Sequence, residues 1–239
     1  MKVYYDFHIH SGLSPCSDDD MTPNNIVNMA KIKDLNVIAV TDHNTCKNVE
    51  ACIKVGKREG ILVIPGMELQ TKEETHVICL FNNLDSAILF DEYVYSKLPD
   101  IRNKPDIFGN QIIYNEYDEV IGIEEKLLLN SVDLTIDEVF YRVRELGGIL
   151  IPAHVDKDSY SVIANLGFIP DYLDIKTVEY TNLKRLNKLI DDKILKNNYI
   201  FIKNSDAHSL GQISEKENYI DIEVLTMEEI IRFLKGLRY

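Results

Sequence analysis

All six histidines of the chain stand at the edge of an apolar run, and that placement constrains the fold more than any overall composition does. The first run, Tyr5-Asp6-Phe7-His8-Ile9-His10, ends in two histidines separated by one residue. Side chains alternate on a strand, so His8 and His10 project to one face while Ile9 turns into packing. His43 and His154 each close a run of β-branched or aliphatic residues, His208 follows another, and His76 opens the run Val77-Ile78-Cys79-Leu80. Two acids share the pattern, Glu68 after residues 62–67 and Asp206 two residues before His208. A lone histidine pair is more often a satisfied core feature than a ligand set. Six strand-edge histidines with two carboxylates are not explained that way.

Between these runs the chain alternates strand and helix. Residues 3–7 read as a first strand. Thr22 is a good N-cap, Pro23 suits the first helical position, and Met21 with Ile26 forms a hydrophobic staple for a helix from 23 to about 34. Residues 37–40 form a strand, 47–59 a helix stopped by Gly60, and 61–64 a strand, the rhythm of parallel strands covered by helices. After a strand at 76–80 the rhythm breaks. A helix at 85–97 and a hairpin at 111–114 and 120–123 belong to no strand–helix unit, so residues 82–130 read as an insertion. Alternation returns with a capping box at Thr135 and Glu138, strands at 149–151, 173–179 and 199–202, and a last helix opened by Thr226 and Glu229. The expected organisation is one domain over residues 1–239, carrying one insertion.

The formal charge of −13 argues against a nucleic-acid backbone or an anionic membrane as the main partner, although bound divalent cations would reverse that field locally. Four cysteines without a CxxC pair suggest a reducing compartment. With no leader-like segment and no apolar run of membrane-spanning length, the expectation is a soluble cytoplasmic protein.

If the strands are parallel and close into a barrel, their C-terminal ends share one face, where such barrels build active sites. His8, His10, His43, Glu68, His154, Asp206 and His208 then converge there, and His76, at a strand start, reaches the face from the opposite direction. Neutral imidazoles with carboxylates suit zinc, iron or manganese, and eight donors exceed the needs of one ion. The pattern predicts more than one divalent metal ion, with Glu68 able to bridge a pair and a metal-activated hydroxide as nucleophile. Glu68, Asp206 and His208 are the candidate catalytic groups.

The motifs DFHIH at 6–10, TDH at 41–43, PGMEL at 65–69, His76, PAH at 152–154 and SDAH at 205–208 together resemble the PHP (polymerase and histidinol phosphatase) domain family. The resemblance implies an α/β fold, a distorted seven-stranded TIM-like barrel, with two or three divalent metal ions and phosphoester hydrolysis. It also implies that His8, His10, Glu68 and Asp206 hold one metal, that Glu68 bridges to a second bound by His76 and His154, and that His43 and His208 serve a third. The loop after His10 departs from the family pattern, and Cys16 or Asp18 could complete the third site. Asp6, Asp42 and Glu179 are candidates for orienting imidazoles, and Lys157 and Lys203 for phosphate contact.

The expected activity is hydrolysis of a small phosphorylated metabolite or nucleotide. A nuclease of the same family, an amide hydrolase and a non-catalytic metal-binding module are the other readings. The insertion is expected to wall the metal face or to form a homodimer contact, with surface decoration as the third possibility.

Overall fold

A computed structural model describes residues 1–237. The chain runs through β1 (Lys2–Ile9), α1 (Pro23–Ile32), β2 (Val37–Val40), α2 (Val49–Glu59), β3 (Leu62–Gln70) and β4 (His76–Leu80). The insertion follows with α3 (Leu84–Lys97), α4 (Pro105–Phe108), β5 (Ile112–Tyr114) and β6 (Val120–Ile123). The remainder comprises α5 (Ile136–Glu145), β7 (Ile149–Pro152), α6 (Val162–Leu166), β8 (Thr177–Tyr180), α7 (Leu183–Asp191), β9 (Ile200–Lys203), β10 (Tyr219–Asp221) and α8 (Met227–Leu234). No helix among the described residues is long and apolar enough to cross a membrane.

The sheet differs from the expected closed seven-stranded barrel. Six strands form one curled sheet in the order β10-β1-β2-β3-β4-β7, and β8 and β9 form a separate parallel pair. The reason lies at β1. Its first half pairs with the antiparallel β10 through Lys2 to Tyr4, so that edge is already taken when β9 approaches. The chain after β9 therefore meets β1 only at its C-terminal end, through the single bridge between Ile9 and Ala207. On the other side, Val155 N donates to Glu179 O across the gap between β7 and β8. β10 went unrecognised in the sequence because three residues give too short an alternation to stand out.

The strands are also not all parallel. β4 runs antiparallel to both β3 and β7. This reversal puts the N-terminal end of β4 beside the C-terminal ends of its neighbours, which is how His76 joins the other histidines from the start of its strand.

Local signals account for most helix starts. Thr22 Oγ1 accepts from Asn25 N, and Met21 and Ile26 are both fully buried at the entry of α1. Thr135 and Glu138 form the reciprocal box at α5, and Thr226 Oγ1 accepts from Glu229 N at α8. The insertion packs against the loop of residues 11–20 and the starts of α1 and α2. Asp118, at the tip of the β5–β6 hairpin, accepts from Thr22 Oγ1, Asn24 N and Asn24 Nδ2. Ile112 N donates to Gly12 O, and the Tyr114 hydroxyl donates to Asp19 O. Gly109, at φ 99°, lies so close to Pro15 that a Cβ would fall 1.9 Å from the Pro15 carbonyl oxygen, so only glycine fits. The inner side of the hairpin thus braces the loop that leaves the metal face, while Val120, Ile121 and Ile123 point outward.

Candidate metal centre

The eight candidate donors converge as the strand-end argument requires, and Glu68 is the hub. On β3, Glu68 Oε1 lies 2.9 Å from His76 Nδ1, 3.2 Å from His154 Nε2 and 3.3 Å from His8 Nε2. Its other oxygen lies 3.1 Å from His43 Nδ1 and 3.4 Å from His10 Nε2. Asp206 Oδ1 lies 3.3 Å from His8 Nε2 and 3.2 Å from His10 Nε2.

Three donor groups emerge with ligand atoms mutually within 4.8 Å: His8, His10, Glu68 and Asp206; His43, Glu68 and His76; and His10, His43 and His208. The first is the set implied for one metal. In the second, His43 stands with Glu68 and His76, where His154 was expected. His43 also belongs to the third group, so its imidazole lies between two sites. His154 keeps its contact with Glu68 but is outside these groups.

The surrounding hydrogen bonds fix which nitrogen each imidazole offers. His8 Nδ1 donates to Glu179, at 3.0 and 3.1 Å from its two oxygens. Glu179 also accepts from His154 N at 2.8 Å and Asn204 Nδ2 at 2.7 Å, so it orients three site elements at once. Ser14 Oγ donates to Asp42 and accepts from His43 N. It therefore accepts as well from His10 Nδ1, 3.0 Å away. Asp42 orients His10 through this hydroxyl rather than directly. His208 Nδ1 donates to Asp206 O at 2.8 Å. In all three imidazoles Nε2 is the nitrogen left facing the site, the arrangement of metal-ligating histidines.

The electrostatics follow from this crowding. Burial opposes the charge on Glu68, but His76, His8 and His43 outweigh it and hold the carboxyl well below its usual range. Asp206 is likewise held down against burial by His8 and His10. Burial works against a charged His8, yet Glu179, Glu68 and Asp206 raise it well above the ordinary imidazole value. His43 is pushed up to about 10 against burial, chiefly by Glu68 and by Cys16. His10 is lowered by burial and by His43 and His208.

Two buried atoms of the site are left over. Glu68 Oε2 and His154 Nδ1 have no hydrogen-bond partner among the described residues. Orphaned groups of this kind are costly unless an ion or water meets them. Metal–nitrogen and metal–oxygen bonds of about 2.1 Å set neighbouring donors roughly 3.0 to 3.4 Å apart. The spacings around Glu68 and Asp206 fall in or next to that interval, so the residues present fit divalent cations.

Neither loop candidate is in a donor group, but Cys16 is the one that interacts with imidazoles of the third group. The residue is exposed overall, yet His208 and His43 bring its thiol down to about 6 against the effect of burial. Asp18 instead uses its backbone N–H, donating to His208 O, and its side chain is in no donor group. Asp6 accepts from Ser205 N and Ser214 N and so anchors the segment leading into Asp206. Lys157 Nζ lies 2.6 Å from Asp206 Oδ2. Ser14 and Asn204 were not singled out by sequence reasoning; the hydroxyl four residues after His10 was the available signal.

A family model of the PHP domain matches residues 6–144, more than half of the chain. The chain belongs to the PHP domain family. Over 203 residues, 84% of this chain and 22% of the relative, it is 28% identical to an uncharacterized protein of Methanocaldococcus jannaschii. It is 34% identical over 88 residues to the 5'-3' exoribonuclease Rnm of Salmonella typhimurium, covering 36% of this chain and 29% of that protein. The crystal structure of a lesion-specific endonuclease from Pyrococcus furiosus superposes over all of this PHP chain and 57% of its own length, with a TM-score of 0.73 and 22% identity. This chain spans between 22% and 51% of the length of the curated relatives it matches. With nucleases among the similar proteins, the overall negative charge is no ground for setting nucleic acid aside as a partner. Cations held in the site would reverse the field that the charge argument relied on.

Proposed function

We propose that this PHP domain hydrolyses phosphoesters at a centre of two or three divalent cations held by His8, His10, His43, Glu68, His76, His154, Asp206 and His208. PHP-domain proteins are metal-dependent hydrolases. The observation that carries the reading is Glu68: a buried carboxylate with five imidazole nitrogens within 3.4 Å, divided between its two oxygens. Such a carboxylate would serve to hold a pair of cations. Bound cations supply Lewis acidity, which polarises a phosphoryl group and lowers the pKa of water into the neutral range.

The chain's own residues define the direction of attack. His8 and His10 are fully enclosed, whereas the side chains of Asp206 and His208 are 13% and 27% exposed. A substrate phosphate therefore enters from the Asp206–His208 side, with Lys157 beside it. Glu179 and Ser14 keep His8 and His10 in fixed tautomers, so the donors do not reorganise when the substrate arrives.

A nuclease is the second reading, favoured by the exoribonuclease and endonuclease among the similar proteins. One experiment tests both. Protein stripped with a chelator and reloaded with manganese or zinc is screened against phosphorylated metabolites, nucleotides and 5'-phosphorylated oligonucleotides. Metal-dependent release of phosphate from small esters supports a phosphatase, and release of nucleotides supports a nuclease. Failure to cleave any phosphoester with more than one equivalent of bound metal removes both.

A further inference from the structure

The loop after β7 carries two side chains that the donor set leaves unused. Lys157 Nζ pairs with Asp206 Oδ2, while the other oxygen of that carboxylate faces His8 and His10. The ammonium thus stands one carboxylate away from the donor cluster, and its side chain is 39% exposed. Tyr160 lies over His76, with ring centroids 4.9 Å apart and planes inclined by 23°. One face of the phenol is taken by the imidazole. The residue is nevertheless 48% exposed, so the stack on the imidazole does not enclose it.

The backbone holds both residues in place. Lys157 N donates to His154 O, the Ser161 hydroxyl donates to Lys157 O, and His76 N donates to Tyr160 O at 2.7 Å. Tyr160 also has φ 55°, a left-handed conformation that bulky side chains rarely adopt. The other non-glycine residues with positive φ among those described are Asp, Asn, Glu, Lys and His. Two of them, His154 and Asp206, are donor candidates, so unfavourable backbone gathers at this site, as it does where function demands it.

We propose that this loop reads the substrate: Lys157 binds a phosphate oxygen and the phenol of Tyr160 stacks on a nucleobase, so the preferred phosphoesters bear a base next to the phosphate. The inference rests on the phosphoesterase reading above. An ammonium has three donors, of which Asp206 uses one, leaving capacity for a phosphate oxygen. An aromatic face recognises any base, because every base presents a π-face, and it offers nothing to a bare sugar phosphate. A free nucleotide and the end of a single strand present the same chemistry.

The test compares kcat/KM of the metal-replete protein for AMP, for 5'-phosphorylated oligoadenylate and for ribose 5-phosphate, which is AMP without its base. The expected preference for a base-bearing substrate is about tenfold or more. Tyr160→Ala should lower that ratio about tenfold, chiefly through KM, and Tyr160→Phe should keep it. Lys157→Ala should raise KM for all three substrates without loss of metal. The ranking of AMP against oligoadenylate identifies which source supplies the base. A wild-type ratio near one, or a Tyr160→Ala effect equal on all substrates, overturns the stacking role. Loss of metal in step with activity in Lys157→Ala overturns the phosphate role and leaves Lys157 as a positioning residue for Asp206. If no ester is turned over, the phosphoesterase reading has failed separately, and equilibrium binding of AMP and ribose 5-phosphate to the same proteins decides the inference. Base-selective binding that is lost in Tyr160→Ala and kept in Tyr160→Phe sustains it, and equal binding of the two ligands removes it.

Discussion

The Nε2 atoms of His8 and His10 face each other across 3.2 Å. Their far nitrogens are already committed as donors, to Glu179 and to Ser14, so in the neutral imidazoles each facing nitrogen carries a lone pair. Two lone pairs this close repel each other unless a proton or a cation comes between them. With Asp206 and Glu68 completing the same group, a cation satisfies all four at once. Protein purified without chelators should therefore hold more than one equivalent of divalent metal by elemental analysis. A fully active sample with one equivalent or less would contradict a multinuclear centre.

Glu68→Gln keeps the shape of the side chain but replaces one oxygen by an amide that donates rather than accepts. The loss falls on a group that faces five imidazole nitrogens, so it should lower metal occupancy and turnover together. Occupancy is read by elemental analysis and folding by circular dichroism. Wild-type turnover in this variant would mean that the bridge is not part of the reaction.

Glu179 is in no donor group itself, yet it holds His8 Nδ1, His154 N and Asn204 Nδ2. Replacing such a partner typically costs about 10- to 100-fold in metal affinity. Glu179→Gln should fall in that range, measured by competition with a chromophoric chelator. An affinity within a factor of two of wild type would show that packing alone orients His8.

Much of this site was legible because its signal is periodic. Histidines at strand ends and a reversed strand for His76 follow from reading apolar runs, and β2 and β4 have the bounds that those runs gave. Closure of the sheet was not legible. It depends on β10 occupying the free edge of β1, a long-range pairing with Tyr219 to Asp221 that no local pattern announces. Glu179 looked like a weak candidate for the same reason. Its importance comes from partners at residues 8, 154 and 204, which only the fold brings together. The loop after His10 offered Cys16 or Asp18 as a further ligand, and only the fold shows that Cys16 is the one on which His43 and His208 act.

His43 and His208 bring the Cys16 thiol down to about 6, and thiolate with imidazole is a donor set that favours zinc or cobalt over manganese or magnesium. Cobalt-substituted protein should show a sulfur-to-cobalt charge-transfer band in the near ultraviolet. Cys16→Ser should abolish the band and lower the metal content, while Asp18→Asn should leave both intact. A band that persists in Cys16→Ser would place the sulfur ligand elsewhere or rule it out.

Metal uptake should also release protons, and the sign follows from the imidazoles. His8 and His208 are raised above the ordinary value and His43 is pushed up to about 10, so below those values the metal-free side chains are protonated. His10 and His76 are lowered and are already neutral near pH 7. Glu68 and Asp206 are held down and remain charged, so they contribute no proton. Because a cation binds only neutral imidazole, it must displace the protons on the first three. At pH 7 the release should exceed one proton per chain, and it should decline as pH rises through about 10, where His43 loses its proton unaided. Affinity should correspondingly climb with pH. Calorimetric titration of zinc into chelator-treated protein, in two buffers of different ionisation enthalpy, measures the release directly. Identical heats in the two buffers would show that the imidazoles are neutral before the metal arrives, and that the carboxylates around them do not hold the protons this arrangement requires.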